Sequence, residues 1–251
     1  LNKPSDFSVS IGISVGAGSF QDKGLPYGTA HFVEHMLFKG TENFTNKELN
    51  QSINRVGGSL NAFTDFEETK YFTVTPKNEW KLGLNLLAEI VWKHTLPAEE
   101  IDKERNVIIE EIKMYHDDPA CITMDKLQEI MLKDYPERHK ILGTIDSVNE
   151  INRDHLVEFI NRHYHLSNIV ITVVGNIHHE EVIAEIIKTQ IPNNKTKQNS
   201  KPELIEVPYA YGKHKLFEPS EQSIYSFGLF GPHCVEKEVA AFEILLTILG
   251  E

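Results

Sequence analysis

The chain carries two histidines, His31 and His35, that are four residues apart, with Glu34 directly before the second. Four residues of an α-helix turn through about 400°, so the two imidazole rings project from one side, one turn apart. That separation suits two ring nitrogens sharing one zinc ion at ~2.0–2.1 Å each. Glu34 then lies close enough to hold a water molecule beside the ion. The pattern predicts a helix over residues 31–35 with a metal site on one side.

The order of these residues, H-x-x-E-H, is the reverse of H-E-x-x-H, and both arrangements occur in zinc peptidases. The chain has 12 histidines among 251 residues, so a chance match is one interpretation. Helical histidines that only pack or face solvent are another. A catalytic zinc site also requires a third protein ligand, which is usually a histidine, a cysteine or a carboxylate.

The best source of that ligand is a helix predicted over residues 98–116. Glu104 and Glu111 are seven residues apart and share one face of it, whereas Glu110 points about 100° away from Glu111. Ile108 lies on the same side as Glu104 and Glu111, which indicates a partly buried face. Buried carboxylates need a partner, and a cation is one solution. A solvated acidic stripe is the alternative interpretation.

Charge and composition restrict the class of partner. The net charge is −12, from 37 acidic and 25 basic residues, which argues against a nucleic-acid partner. An acidic surface suits a basic or neutral peptide substrate, but it also serves solubility alone.

The two cysteines, Cys121 and Cys234, exclude a disulfide framework and favour a reducing compartment. No apolar run approaches the ~18 residues of a membrane span. We expect no membrane partner and an intracellular, cytoplasmic location, with an organellar matrix as the alternative.

Hydrophobic periodicity predicts the fold class. Residues 7–15 alternate between apolar and small side chains, as in a strand with one apolar face. The motif helix is predicted from Thr29 to Lys39, and the pair Thr45 and Glu48 predicts a capping box that opens another helix. Further helices are predicted over 79–93, 98–116, 121–133, 153–163 and 180–189, and strands over 59–63, 70–75 and 169–174. This order predicts an α+β fold with a mixed, largely antiparallel sheet flanked by helices.

The same pattern predicts the domain limits. Residues 1–191 form the zinc-binding α+β domain, and residues 192–207 form a linker that begins with the polar run PNNKTKQNSKP. Residues 208–251 are predicted to begin a second, similar domain, with strands over 215–217 and 223–230 and a helix over 239–249. A segment of that size is too small to bury a core alone.

Several segments resemble one peptidase family. Residues 28–41 read GTAHFVEHMLFKGT, which resembles the signature of the pitrilysin, insulysin and mitochondrial processing peptidase family of inverted-motif zinc metallopeptidases. The tracts HMLFKGT and SLNAFT are most similar to the processing-peptidase branch. Residues 57–64 (GGSLNAFT), 142–144 (LGT), 173–176 (VVGN) and 221–222 (EQ) resemble further landmarks, so the resemblance covers nearly the whole chain.

The resemblance implies a ligand set and catalytic roles. It assigns one Zn²⁺ per chain to His31, His35 and Glu111, with Glu104 as a second acidic residue that supports the site without binding the metal. Glu34 would act as the general base that accepts the proton of a water molecule.

The resemblance also implies a substrate-binding edge strand beside the metal. Its residues are Leu60, Asn61, Ala62 and Phe63, which would hold a peptide or unfolded polypeptide as an added β-strand. Active members of the family resemble two such domains in tandem. We therefore expect a fragment of a longer chain, or a partner chain that completes it.

The sequence thus predicts a zinc-dependent endopeptidase that hydrolyses peptides bound in an extended conformation. The alternative is a noncatalytic zinc-binding subunit or scaffold of a two-chain peptidase, or a fragment that is inactive without its second domain. No G-x-S-x-G, phosphate-loop or Cys/His nucleophile pattern supports another hydrolase class.

Overall fold

A computed structural model of the chain describes residues 7–132, 140–189, 212, 215, 223–229, 231–232 and 237–249. The chain divides into two compact units. The first unit comprises residues 1–115 and 139–204, and the second comprises residues 116–138 and 205–251.

The first unit is built on a four-stranded sheet. Its strands are β1 (Ser8–Val15), β2 (Ser59–Thr64), β3 (Thr69–Pro76) and β4 (Ile169–Gly175). They lie in the order β2-β3-β1-β4, and every neighbouring pair is antiparallel. The predicted α+β class with a largely antiparallel sheet is confirmed, and β2 forms one edge of this sheet.

The alternation in β1 separates a core face from a face of small side chains. Val9, Ile11, Ile13 and Val15 are fully buried. On the other face, Gly12 lies so close to β4 that a Cβ atom there would be 3.0 Å from Oγ1 of Thr172. Periodicity of two along a half-buried strand produced the pattern from which this strand was predicted.

Nine α-helices are described, beside three short 3-10 helices (Ser19–Asp22, Lys77–Glu79 and Leu166–Asn168). The α-helices are α1 (Thr29–Leu37), α2 (Asn46–Arg55), α3 (Trp80–Trp92), α4 (Ala98–Asp117), α5 (Pro119–Met131), α6 (Ile145–Glu150), α7 (Arg153–His163), α8 (His179–Lys188) and α9 (Val239–Leu249). The predicted capping box of α2 is confirmed, because the Thr45 side chain accepts a hydrogen bond from the Glu48 N–H and the Glu48 carboxylate accepts one from the Thr45 N–H. The short helix α6 was not predicted. Its capping box carries Ser147 in place of the usual Glu or Gln, which weakened the sequence signal.

Helices cover the core face of the sheet in the first unit. Helix α3 packs closely on β3, where a Cβ on Gly83 would be 2.9 Å from the Thr75 methyl group. The core contains the apolar residues of β1 together with buried side chains of the helices, including Phe32 of α1 and Ile108 of α4. None of the described helices combines the length and the apolar character that crossing a lipid bilayer requires.

The second unit contains α5 and α9. Residues 223–229 adopt no regular secondary structure, so the predicted strand is wrong over these residues. A strand forms only with a pairing partner, and the described part of this unit provides none. Most of the strand predicted over 215–217 and the linker predicted over 192–207 lie outside the described residues. The domain limits proposed from the sequence remain predictions.

Candidate metal centre

The motif helix α1 is anchored at its first turn by Asp22. The Asp22 carboxylate accepts hydrogen bonds from the N–H groups of Gly28 (2.7 Å) and Ala30 (2.9 Å), which have no partner within the helix. Asp22 is only 1% exposed. Burial raises its pKa to about 7, although the backbone hydrogen bonds oppose this rise. The motif is thereby placed on a helix whose start is fixed by a buried side chain.

Three ligand-type atoms from two helices converge on one point. The Nε2 atoms of His31 and His35 are 3.2 Å apart. Oε2 of Glu111, on α4, lies 3.5 Å from Nε2 of His35 and 3.8 Å from Nε2 of His31. Ligands at ~2.0–2.1 Å from a tetrahedral zinc ion lie ~3.3 Å from one another. The observed triangle therefore fits a zinc ion bound by these three residues, and it is the one such His, Cys, Asp and Glu group among the described residues.

The two histidines have different surroundings. His31 is 7% exposed, and burial, followed by the neighbouring His35, lowers its pKa to about 3. It is consequently neutral at physiological pH, as a metal ligand must be. Its Nδ1 atom is buried and has no hydrogen-bond partner within the described part of the chain. Nδ1 of His35, by contrast, lies 2.8 Å from Oε1 of Glu104.

Glu104 lies behind His35 rather than at the convergence point. It is 4% exposed, and its second oxygen pairs with the Lys39 ammonium group. Burial alone would raise the pKa of Glu104, but the hydrogen bonds from His35 and Lys39 and the Lys39 charge lower it below its ordinary value. An ionised Glu104 holds the Nδ1 proton of His35 and leaves Nε2 free to bind a metal. Glu110 points outward and pairs with Lys113 instead.

Glu34 lies one turn from His31 on the same helix. Its Oε2 atom accepts a hydrogen bond of 2.7 Å from the Thr64 hydroxyl, at the end of β2. Burial raises the pKa of Glu34 above its ordinary value. The Thr64 hydrogen bond and the neighbouring His35 act to lower this pKa, whereas the Glu111 charge acts to raise it. A carboxylate with a raised pKa close to these side chains has the character of a general base.

β2 is an edge strand of the described sheet, and every second residue along it has main-chain groups that point away from β3. The Lys77 N–H donates to the carbonyl of Phe7, so the odd-numbered residues of β3 bond to β1 and the even-numbered ones bond to β2. The even-numbered residues of β2, Leu60, Ala62 and Thr64, consequently direct their N–H and C=O groups away from the sheet. An edge of this kind can accept another strand.

The four residues predicted to bind substrate divide between the two faces of β2. Leu60 and Ala62 pack against the core, whereas Asn61 and Phe63 are exposed on the opposite face. The side-chain oxygen of Asn61 accepts a hydrogen bond of 2.9 Å from the Ala62 N–H. One donor of the open edge is thereby already occupied by a side chain of the same strand.

Sequence reasoning did not identify three residues of this centre. Lys39 lies four residues after His35, a helical spacing that would have placed it near the same face. Thr64 ends the tract SLNAFT, but nothing in the sequence pairs it with Glu34. Asp22 reaches α1 from the end of a short 3-10 helix (Ser19–Asp22), and no periodic signal marks such a contact.

Known proteins with similar sequences include members of one peptidase family. Residues 1–145 match the sequence profile of the family described as "Insulinase (Peptidase family M16)", and residues 150–251 match the profile described as "Peptidase M16 inactive domain". An uncharacterized zinc protease of Rickettsia bellii is 31% identical over 248 residues, which are 99% of this chain and 60% of that protein. The uncharacterized zinc protease YmxG of Bacillus subtilis is 37% identical over 176 residues, covering 70% of this chain and 43% of that protein.

Solved structures show the same fold. The crystal structure of a putative M16-like peptidase from Alicyclobacillus acidocaldarius matches with a TM-score of 0.69 and 27% identity, covering 83% of this chain and 49% of that chain. The periplasmic protease PqqL from Escherichia coli matches with a TM-score of 0.71 and 27% identity, covering 83% of this chain and 23% of that chain. The chain thus spans between about a quarter and three fifths of the length of these relatives.

Proposed function

This chain belongs to the M16 (insulinase) family of peptidases, and we propose that it is the zinc-binding part of a metalloendopeptidase that cleaves peptides held in an extended conformation. The observation that carries the proposal is the convergence of His31 Nε2, His35 Nε2 and Glu111 Oε2 within 3.8 Å of one another. Two imidazoles and one carboxylate are a ligand set that catalytic zinc sites use, with the fourth position left open.

His31, His35 and Glu111 would hold one zinc ion. A bound zinc ion supplies Lewis-acid chemistry, because it polarises a peptide carbonyl and lowers the pKa of water toward ~7. The relatives named as zinc proteases support this choice of metal. Glu104 contributes from behind His35, where it fixes the tautomer and orientation of that ring.

Glu34 would act as the general base. Its carboxylate accepts the proton of the attacking water and then delivers it to the nitrogen of the leaving amine. Burial in this site raises the pKa of Glu34, which strengthens it as a proton acceptor. The polypeptide is thereby cleaved into a new carboxylate and a new amine without a covalent intermediate.

The edge strand β2 would hold the substrate. The outward main-chain groups of Leu60 and Ala62 would bond to an extended peptide, and the Asn61 amide would bond to it once released from the Ala62 N–H. Phe63 would contact substrate side chains on the open face. Main-chain pairing tolerates varied sequences, so peptides and unfolded polypeptides are the expected substrate class.

The rest of the peptidase would come from a second domain or a partner chain. The relatives are longer than this chain, and residues 150–251 match the profile of the M16 inactive domain. We propose a cytoplasmic location from the low cysteine content of the sequence, with an organellar matrix as the alternative.

The test compares three variants of the full chain for zinc content and for cleavage of a quenched peptide. Glu34→Gln should retain zinc and lose nearly all hydrolysis. Glu111→Gln should lose zinc affinity, whereas the matched control Glu110→Gln should retain both properties, because Glu110 pairs with Lys113 on the surface. Full activity of Glu34→Gln would remove this residue from the role of base.

A noncatalytic zinc-binding scaffold gives a different result in the same assay. The match of residues 150–251 to a domain described as inactive is the observation that favours it. Stoichiometric zinc without turnover, both alone and with a second peptidase chain, would establish the scaffold and exclude the endopeptidase.

A further inference from the structure

The end of the edge strand contacts the proposed general base directly. The Thr64 hydroxyl donates to Oε2 of Glu34 at 2.7 Å, and it is the one hydrogen bond that the structure shows for this carboxylate among the described residues. Glu34 has two oxygens, and its terminal torsion is broad in energy. Without a fixed donor the carboxylate would sample several orientations, so this contact determines where the second oxygen, Oε1, points.

The sheet holds the Thr64 hydroxyl in place. Thr64 pairs in register with Thr69 of β3, which is fully buried and donates to the Ala17 carbonyl at 2.8 Å. The turn that follows is closed by a hydrogen bond of 2.8 Å from the Asp65 N–H to the Glu68 carbonyl. The backbone on both sides of the donor is therefore tied to β3, by strand pairing before Thr64 and by the closed turn after it.

The same residue also belongs to the open edge. The main-chain groups of Thr64 point away from the sheet, along with those of Leu60 and Ala62, while its side chain faces α1. Thr64 thus belongs to the strand that would bind a peptide, and it also contacts the Glu34 carboxylate that would accept a proton.

We propose that Thr64 is a positioning residue, which orients the Glu34 carboxylate and sets it in register with a peptide bound on β2. This inference rests on the proposed function. Thr64 itself transfers no proton. It occupies one oxygen of Glu34, so that the other remains available to water.

The kinetic test uses the full chain with Thr64→Val, which keeps the shape of the side chain and removes the hydroxyl. A hydrogen bond to a charged group corresponds to a factor of roughly 10 to 100. We expect kcat to fall by that factor while KM and zinc content stay unchanged. The separate variant Thr64→Ser keeps the hydroxyl and should keep the wild-type kcat. Thr73→Val is the matched control, since the Thr73 hydroxyl bonds to the Ser59 carbonyl in the same strand pair. Equal losses in both valine variants, or none in Thr64→Val, would overturn the inference.

A second measurement is independent of turnover. A double-mutant cycle of Thr64→Val and Glu34→Ala on the unfolding of the metal-free protein should show a coupling of about tenfold or more in the unfolding constant. Turnover by the wild type without this coupling would reject the positioning role and leave the endopeptidase function standing. Coupling without any turnover, both alone and with a second peptidase chain, would reject the proposed function, and the catalytic role of Thr64 with it.

Discussion

Gly28 and Gly143 each lie against the backbone of the residue that precedes the other, where the motif helix begins. A Cβ atom on Gly28 would be 2.5 Å from the Leu142 carbonyl oxygen, and one on Gly143 would be 2.2 Å from the Tyr27 carbonyl oxygen. Both residues also have positive φ angles, +90° and +73°. Only glycine meets both conditions without strain, so this pair fixes the start of α1 and with it the position of His31.

We expect Gly28→Ala to lower the free energy of unfolding by more than about 2 kcal/mol, because it adds a backbone clash to the cost of a positive φ. Gly24→Ala is the matched control. Gly24 has a φ of +82° but no atom within 4 Å of its Cβ position, so it should cost only ~1 kcal/mol. Urea unfolding of the two variants measures the difference, and equal losses would show that the backbone contact with Leu142 contributes nothing.

The ion pair behind His35 should control metal affinity. Glu104→Gln keeps the shape of the side chain but removes the charge that holds the Nδ1 proton of His35 and pairs with Lys39. We expect the zinc affinity to fall ~10- to 100-fold. Lys39→Met should act in the same direction, since it leaves the buried Glu104 without its cation.

Chelator competition at constant pH measures these affinities, with Glu110→Gln as the control on the exposed side of the same helix. If Glu104→Gln bound zinc as tightly as the wild type, the support of His35 by Glu104 would be structural only.

Asp22 should make the stability depend on pH. Burial raises its pKa from 3.8 to about 7 in the folded protein. Between these two values the folded state binds more protons than the unfolded state, so the free energy of unfolding falls as the pH rises. The destabilisation of the folded protein by the buried Asp22 carboxylate is complete above pH ~7 and absent below pH ~4. We expect the wild type to lose stability relative to Asp22→Asn across this range, by up to about 1.4 kcal/mol per pH unit.

Urea unfolding at a series of pH values gives this difference directly, because contributions common to both proteins cancel. A difference that changes in the opposite direction would mean that the N–H groups of Gly28 and Ala30 outweigh burial and hold the pKa of Asp22 below its ordinary value.

Local signals predicted most of the fold, and contacts between distant residues were the part that the sequence could not supply. The capping box of Thr45 and Glu48 is encoded within four residues, and the face shared by Glu104 and Ile108 follows from helical periodicity alone. The hydrogen bond from Thr64 to Glu34 depends instead on how β2 packs against α1. No spacing in the sequence expresses that distance.

In the second unit, a local signal predicted a strand that the structure does not contain. Residues 223–229 have the alternation of a strand, with Tyr225, Phe227 and Leu229 apolar, yet they form none. Periodicity shows that a segment could adopt a strand, but a strand also requires a neighbouring strand to pair with.

The open edge of β2 leads to a prediction about the substrate rather than the protein. A peptide paired with β2 directs every second N–H group toward the strand and the intervening ones toward solvent. Methylation of single amides along a peptide that the wild type cleaves should therefore weaken binding at alternate positions only. We expect a loss of about tenfold or more at the paired amides, which lose a hydrogen bond and gain a steric clash.

Binding to the Glu34→Gln variant, measured by fluorescence anisotropy, separates recognition from cleavage. The solvent-facing amides serve as the internal control, because their methyl groups are added to the same peptide without touching the strand. The Ala62 N–H is already bonded to the Asn61 side chain, so a bound peptide must displace that amide before its carbonyl can pair there. Uniform losses at all positions, or none, would show that the peptide does not bind as an added strand, and the role proposed for residues 60–63 would have to be abandoned.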